Sequence, residues 1–213
     1  MPTRSSAPQR RSTRTEKNAG RRATWGSLSR EQVIEVALEN VRGGRLETMT
    51  IRSLAADLGV APMSLYRHIR SKDDLLDEVA EVLLKHAWRP PSRGKTWRNW
   101  IVEAANDLRQ LLVDESCVLY VYLRHPVVTS TAIERMEAMI EVLRSAGLTP
   151  AKSRDAYAAI HTYTVGFAAL EASRAGWHSD SNDELASQLA GFATAKQFDR
   201  GLVYLLDGIA AGL

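Results

Sequence analysis

Residues 50–72, TIRSLAADLGVAPMSLYRHIRSK, constrain this chain more than any other segment, because they spell two short helices joined by a glycine turn. Ile51, Leu54, Ala55 and Leu58 fall at i, i+3, i+4 and i+7, the buried stripe of an amphipathic helix, and Thr50 stands at the N-cap. Gly59 follows the last periodic residue, where a left-handed C′ residue is wanted, and Val60 is placed to fold back onto the preceding turn. Pro62 suits the first turn of the second helix, since an N–H there would have no intrahelical partner. Leu65 and Ile69 then point inward, which leaves Met63, Ser64, Tyr66, Arg67 and His68 on or near the outer face.

A helix-turn-helix lays its second helix in the major groove while the first braces the backbone. Ala61, Pro62 and Ser64 are small enough to let that helix sink in, and Tyr66, Arg67, His68 and Lys72 carry groups that reach phosphates or bases. Arg52, beside Thr50 at the start of the bracing helix, can pair bidentately with guanine. The expected DNA-contacting set is therefore Thr50, Arg52, Ala61, Pro62, Met63, Ser64, Tyr66, Arg67, His68 and Lys72. The same spacing also suits an ordinary helical hairpin with a solvated basic face, so the flanks decide.

Upstream, Ser29 and Gln32 form a capping-box pattern ahead of the stripe Val33, Ile34, Ala37, Leu38 and Val41, which stops at Gly43 and Gly44. Downstream, Asp73 and Asp74 sit where a helix dipole favours acids, and Leu75, Leu76, Val79, Val82 and Leu83 carry an apolar face onward. The pattern predicts a three-helix head with a fourth helix leading away.

On these residues the segment LSREQVIEVALENVRGGRLETMTIRSLAADLGVAPMSLYRHIRSKDDLLDEVAEVLL resembles the N-terminal domain of the TetR family of one-component repressors. The run Leu65, Tyr66, His68, Ile69, Lys72, Asp74 and Leu75 carries the likeness most specifically. It continues more loosely through TWRNWIVEAANDLRQLL, EVLRSAGLTPAKSRDAYAAIHTYTVGFAALE and FDRGLVYLLDGI, which resemble the tetracycline-repressor subclass.

At 213 residues and 45% hydrophobic content the chain can bury one large or two modest cores. No apolar run reaches the length of a membrane span and no signal-peptide core is visible, so a cytoplasmic protein without membrane contact is expected. The single cysteine, Cys117, lies among apolar neighbours and reads as a small core residue rather than a redox sensor. Residues 1–27 hold seven Lys or Arg against one acid, a net +6 where the whole chain is +3, so the rest carries −3. Rich in Ser, Thr and Arg with little to bury, this segment reads as a disordered basic arm, either following phosphates or serving only as a solubilising tail.

Beyond residue 85 helical periodicity predicts elements near 96–114, 117–123, 127–146, 150–175, 184–190 and 194–211 and no strands. Residues 156–170 are apolar on more than one face, so they should be buried either in a core or against another chain, and a homodimer would account for the surplus. The family resemblance implies a homodimer in which residues 151–174 and 194–210 form a four-helix bundle, with Gly166, Ala168, Ala169 and Ala172 allowing close approach. Two heads would then reach successive major grooves of a palindromic operator in double-stranded DNA, roughly 34–36 Å apart.

The surplus of aromatic and thioether side chains in this part suggests a pocket for a small hydrophobic effector. The expected lining is Trp88, Trp100, Ala104, Leu108, Tyr120, Val121, Arg124, Met139, Thr162, Tyr163, Phe167 and Trp177, with His125 and His161 as further polar groups. Within the resemblance, Trp88 replaces a drug-binding histidine, Ala104 an asparagine, Leu108 a phenylalanine and Val121 the magnesium-ligating histidine, so tetracycline with magnesium is not the ligand implied. The five histidines show no metal-ligand spacing, no serine sits in a nucleophile elbow and no glycine loop cradles phosphate, so neither catalysis, metal nor cofactor is expected.

The sequence therefore reads as an all-α regulator: arm 1–27, DNA-binding head 28–73, and a helical effector-binding and dimerisation part 74–213. The expected function is a homodimeric repressor released from DNA by its effector. A constitutive architectural DNA-binding protein and a helical small-molecule enzyme are the alternatives.

Overall fold

The computed structural model describes residues 28–91, 94–174 and 192–212. The expectations for residues 1–27, for a helix at 184–190 and for Trp177 lie outside these residues. Among them the chain forms α1 (Arg30–Arg42), α2 (Ile51–Leu58), α3 (Pro62–Leu65), α4 (Lys72–Ala87), α5 (Trp97–Asp114), α6 (Ser116–Arg124), α7 (Ser130–Ser145), α8 (Pro150–Arg174) and α9 (Ala195–Ala210), with no strand.

Capping chemistry sets the head's boundaries. Ser29 Oγ accepts from the Gln32 N–H while Gln32 Oε1 accepts from the Ser29 N–H, at 3.2 and 2.9 Å. Thr50 and Ser53 repeat that reciprocal arrangement at the start of α2. Gly59 takes the left-handed conformation with φ 68°, and the Gly59 and Val60 N–H groups donate to Ala56 and Ala55, the paired bonds of a Schellman stop. The second helix of the motif is shorter than periodicity implies. Ala61 offers no side-chain cap and regular α3 ends at Leu65, after which the chain tightens through a His68 N–H to Leu65 carbonyl bond. Residues 66–68 are turns, yet Leu65 and Ile69 remain buried as the stripe requires.

The fourth helix, α4, ties the head to the rest. Its N-cap Ser71 accepts from the Asp74 N–H, acids occupy its first turn and Lys85 and His86 its last, in agreement with the helix dipole. Its sixteen residues span about 24 Å. Leu75, Leu76, Val79, Ala80, Leu83 and Leu84 are all buried, against α1 on one side and α6 and α7 on the other. One core consequently runs from Val33, Leu54 and Ile69 in the head through α4 to Leu112, Val118 and Val121. A second core joins Trp88, Ile101, Leu143, Ile160, Phe198 and Leu202 between α5, α7, α8 and α9.

In α7 the helix begins at Ser130 rather than 127, because the Thr129 side chain caps it by accepting from the Ala132 N–H. In α8, Ser153, Ala156, Ile160, Thr164 and Ala168 are buried. Ala158, Ala159, Thr162, Gly166 and Leu170 are exposed on the opposite side of α8, and Val203 and Tyr204 are exposed on α9.

Candidate DNA-binding face and effector cavity

The exposed surface of the head matches the outward set read from periodicity. Met63 is 75% and Tyr66 52% exposed, while Arg52, Ala61, Pro62 and Arg67 are exposed and Ser64 and His68 half-buried. Arg52, Arg67 and Arg70 form no ion pair among the described residues, so their charge is free to meet phosphate or base. Arg70, which periodicity did not single out, is exposed as well. Thr50 is exposed, but its hydroxyl is engaged in capping Ser53. Lys72 departs most from expectation: its Nζ donates to the Leu46 carbonyl at 2.9 Å, so this ammonium braces the loop before α2.

A separate cavity lies at the other end of α4. It has a volume of about 20 Å³, room for roughly one water molecule, and is lined by Trp88, Ala104, Ala105, Leu108, Tyr122, Ala132, Arg135, Met139, Tyr157, Ile160, His161 and Thr164. Trp88, Ala104, Leu108 and Met139 were expected there. His161, expected as a further polar group, borders it too, and the other described residues of the expected lining lie elsewhere. Tyr163 and Phe167 pack on Phe198 of α9, with ring centroids 5.2 and 5.3 Å away, and Tyr163 Oη donates to the Phe198 carbonyl at 2.9 Å. Trp100 meets Trp88 edge-on at 6.2 Å from behind the wall. Val121 is buried in the first core, Thr162 faces outward, and Tyr120 lies under the Arg124 guanidinium, which itself approaches Asp73 at 3.8 Å. A side chain's size predicted membership of some core, and the helix phase decided which.

The polar part of the lining is where sequence reasoning fell short. Arg135 occupies the buried stripe Thr131, Arg135, Met139, Leu143 of α7, a charged residue at an apolar phase, and that was the available signal. Its Nη2 donates to the Ala104 carbonyl at 3.1 Å and its guanidinium lies 4.2 Å from the centre of the Trp88 ring. Burial lowers the Arg135 pKa, opposed by Tyr122, Asp107 and Tyr157. Burial likewise pushes the Tyr122 hydroxyl up to about 12 and raises Tyr157. His161 stacks on Tyr157 at 5.4 Å, and burial together with Arg135 lowers its pKa below the usual 6.5, so the imidazole is neutral near pH 7. Cys117 is buried and its thiol is pushed up to about 12, first by burial, which makes it inert as a nucleophile.

The cavity is linked to the head through α4. Glu81, midway along that helix, accepts hydrogen bonds from Ser130 Oγ, the Thr131 N–H and Thr131 Oγ1 at the start of α7. Toward the head, Arg30 pairs with Glu78 at 2.7 Å. No group of carboxylates, histidines or cysteines that could hold a metal occurs among the described residues, and no described helix is long and apolar enough to cross a membrane.

Known proteins resemble this chain in sequence and fold. Residues 90–213 match the family described as tetracyclin repressor-like, C-terminal domain. An HTH-type transcriptional regulator of Saccharopolyspora erythraea is 28% identical over 201 residues, covering 86% of this chain and 85% of that protein. The solved structure of a TetR variant from Acinetobacter baumannii AYE in complex with minocycline is 26% identical, covering 86% of this chain and 97% of that one, with a TM-score of 0.69. BioQ with its double-stranded DNA operator is 25% identical, covering 86% and 99%, with a TM-score of 0.66. With a family match over more than half its length, a helix-turn-helix head and an all-helical body behind it, the chain belongs to the TetR family of transcriptional regulators.

Proposed function

We propose that the protein is a homodimeric repressor that holds a twofold operator through its heads and releases it when a small, largely hydrophobic effector enters the cavity bounded by Trp88, Leu108 and Met139. The observation that carries this reading is the position of α4, whose N-terminal end adjoins the head and whose C-terminal cap, Trp88, is a wall of the cavity. An effector that displaces α7 acts on α4 through Glu81, and a tilt of this lever, about 24 Å long, separates two heads from their groove spacing. The TetR variant of Acinetobacter baumannii in complex with minocycline and BioQ with its operator lend the analogy. A ~100-fold loss of operator affinity needs a coupling of about 2.7 kcal/mol, within the ordinary allosteric range. The exposed small-residue face of α8 with Val203 and Tyr204 of α9 is the surface proposed to join two chains.

Selection of bound duplexes from a random pool tests the DNA half of this reading. A palindromic consensus is expected, and Arg52→Ala should cost about 1–3 kcal/mol on that site while Tyr66→Ala weakens all sequences alike. Pools that show no enrichment, or equal losses for Arg52→Ala on selected and random DNA, would contradict it. The tightness of the cavity favours a second reading, an effector-free architectural protein. Release of the selected operator by hydrophobic compounds in a gel-shift assay discriminates the two.

A further inference from the structure

We infer that the effector cavity selects an anionic ligand, an aromatic carboxylate or acidic phenolate, whose negative charge sits on the Arg135 guanidinium beside the Trp88 indole N–H. This deepens the ligand-responsive reading above and rests on it. Two arginines of the body are buried among the described residues, and they are treated differently. Arg109 is matched by Glu171 at 2.6 Å. Arg135 is 8% exposed and lines the cavity, yet no carboxylate stands within ion-pair distance of it among the described residues. Its direct contacts among the described residues are one carbonyl, that of Ala104, and the face of Trp88, while the Asp107 carboxylate acts on it only from beyond ion-pair distance. A guanidinium offers five donors and a full charge, and burying it without an anion is costly unless a ligand offsets the cost.

A second observation points the same way. Trp88 Nε1 is buried without a hydrogen-bond acceptor among the described residues, although this indole lines the cavity too. A buried orphan donor next to an unmatched cation specifies what is missing from the site: an acceptor bearing negative charge. Neutral His161 and the Tyr122 and Tyr157 hydroxyls supply further donors or acceptors around it, while Ala104, Leu108 and Ile160 leave an apolar wall for a flat ring. Opening beyond the present volume is required, and Met139 is the unbranched wall residue best able to move.

The experiment uses the full chain with matched acid and primary-amide pairs on benzene, naphthalene and anthracene scaffolds, read by calorimetry and by release of the selected operator. At least one carboxylate should bind about ten- to a hundred-fold more tightly than its amide, the difference expected for charge-assisted hydrogen bonds in a buried site. Arg135→Met should bring that ratio near one while amide binding persists, Arg135→Lys should keep part of the preference, and Trp88→Phe should weaken the acid more than the amide. Because Arg135 has no ion-pair partner among the described residues, Arg135→Met should fold with an unchanged or higher melting temperature; a variant that unfolds would make the guanidinium a structural strut and overturn the assignment. Amides that bind and release DNA as well as acids, or an acid preference that survives Arg135→Met, would overturn the anion site and leave the effector reading standing. Failure of every scaffold in both forms at millimolar concentration would overturn both.

Discussion

Glu81 on α4 accepts a hydrogen bond from the Thr131 N–H at 3.2 Å and another from Thr131 Oγ1 at 2.8 Å, so the helix that leaves the DNA-binding head grips the first turn of the helix that carries Arg135. A carboxylate at a helix N-terminus satisfies donors that would otherwise be orphaned and opposes the positive end of the dipole. Burial raises its pKa, and the bonds from Thr129, Ser130 and Thr131 outweigh this, leaving it below the usual 4.5.

Glu81→Gln should destabilise the protein by about 1–2 kcal/mol near pH 7 by weakening these charge-assisted bonds. Because the folded pKa lies below the unfolded one, the contribution is complete above pH 4.5 and lost as pH falls through the folded value. Urea titrations at neutral and acid pH should therefore show a gap between wild type and variant that narrows in acid. A gap independent of pH would remove the charge from this account. If Glu81 also transmits the effector signal, the variant should need more effector to release DNA.

His161 gives stability a second pH dependence. Its pKa in the fold is lowered from 6.5, so the unfolded chain binds more protons between the two values and stability falls as pH drops below 6.5. His161→Phe keeps an aromatic surface against Tyr122 and Tyr157 and should flatten thermal stability in that window, before carboxylates begin to titrate. Parallel curves for the two proteins from neutral pH down to about one unit below the ordinary histidine value would show that the imidazole does not titrate there.

Gly201 permits the contact between α8 and α9. A Cβ at that position would collide with the hydroxyl and ring carbons of Tyr163, which is held by its bond to Phe198. Gly201→Ala should thus cost about 1–3 kcal/mol despite alanine's better helix propensity. The double variant Gly201→Ala with Tyr163→Phe should recover part of it, since the nearest clashing atom is then gone. Chemical denaturation of the four proteins in a mutant cycle measures this coupling directly.

Gly166 tests the proposed dimer. Nothing lies within 4 Å of a Cβ built there, so a single chain accommodates a larger residue without steric conflict. Gly166→Glu should then dissociate the dimer by placing unpaired charge in the bundle while leaving each chain folded. Sedimentation showing an intact dimer would remove this face of α8 from the interface.

Much of the local chemistry of the head was legible. The reciprocal cap at Ser29, the N-cap at Thr50, the left-handed Gly59 and the inward pair Leu65 and Ile69 act within a few residues of chain, so composition and spacing suffice to specify them. The sequence alone also determined the all-helical class and most helix limits, since periodicity, proline and glycine are local signals. Other matters were decided only in three dimensions. Tyr163 and Phe167 looked like pocket aromatics but belong to the contact with α9, because the phase of α8 turns them toward Phe198 and turns His161 and Thr164 toward the cavity. Lys72 looked like a phosphate contact but reaches the Leu46 carbonyl, 26 residues back. The apolar phase of Arg135 in α7 hints at burial, but only the crossing of α5 and α7 places it against Trp88 with no carboxylate at ion-pair distance among the described residues. Periodicity tells which face of a helix is buried, and the packing of other helices against that face decides what it is buried with.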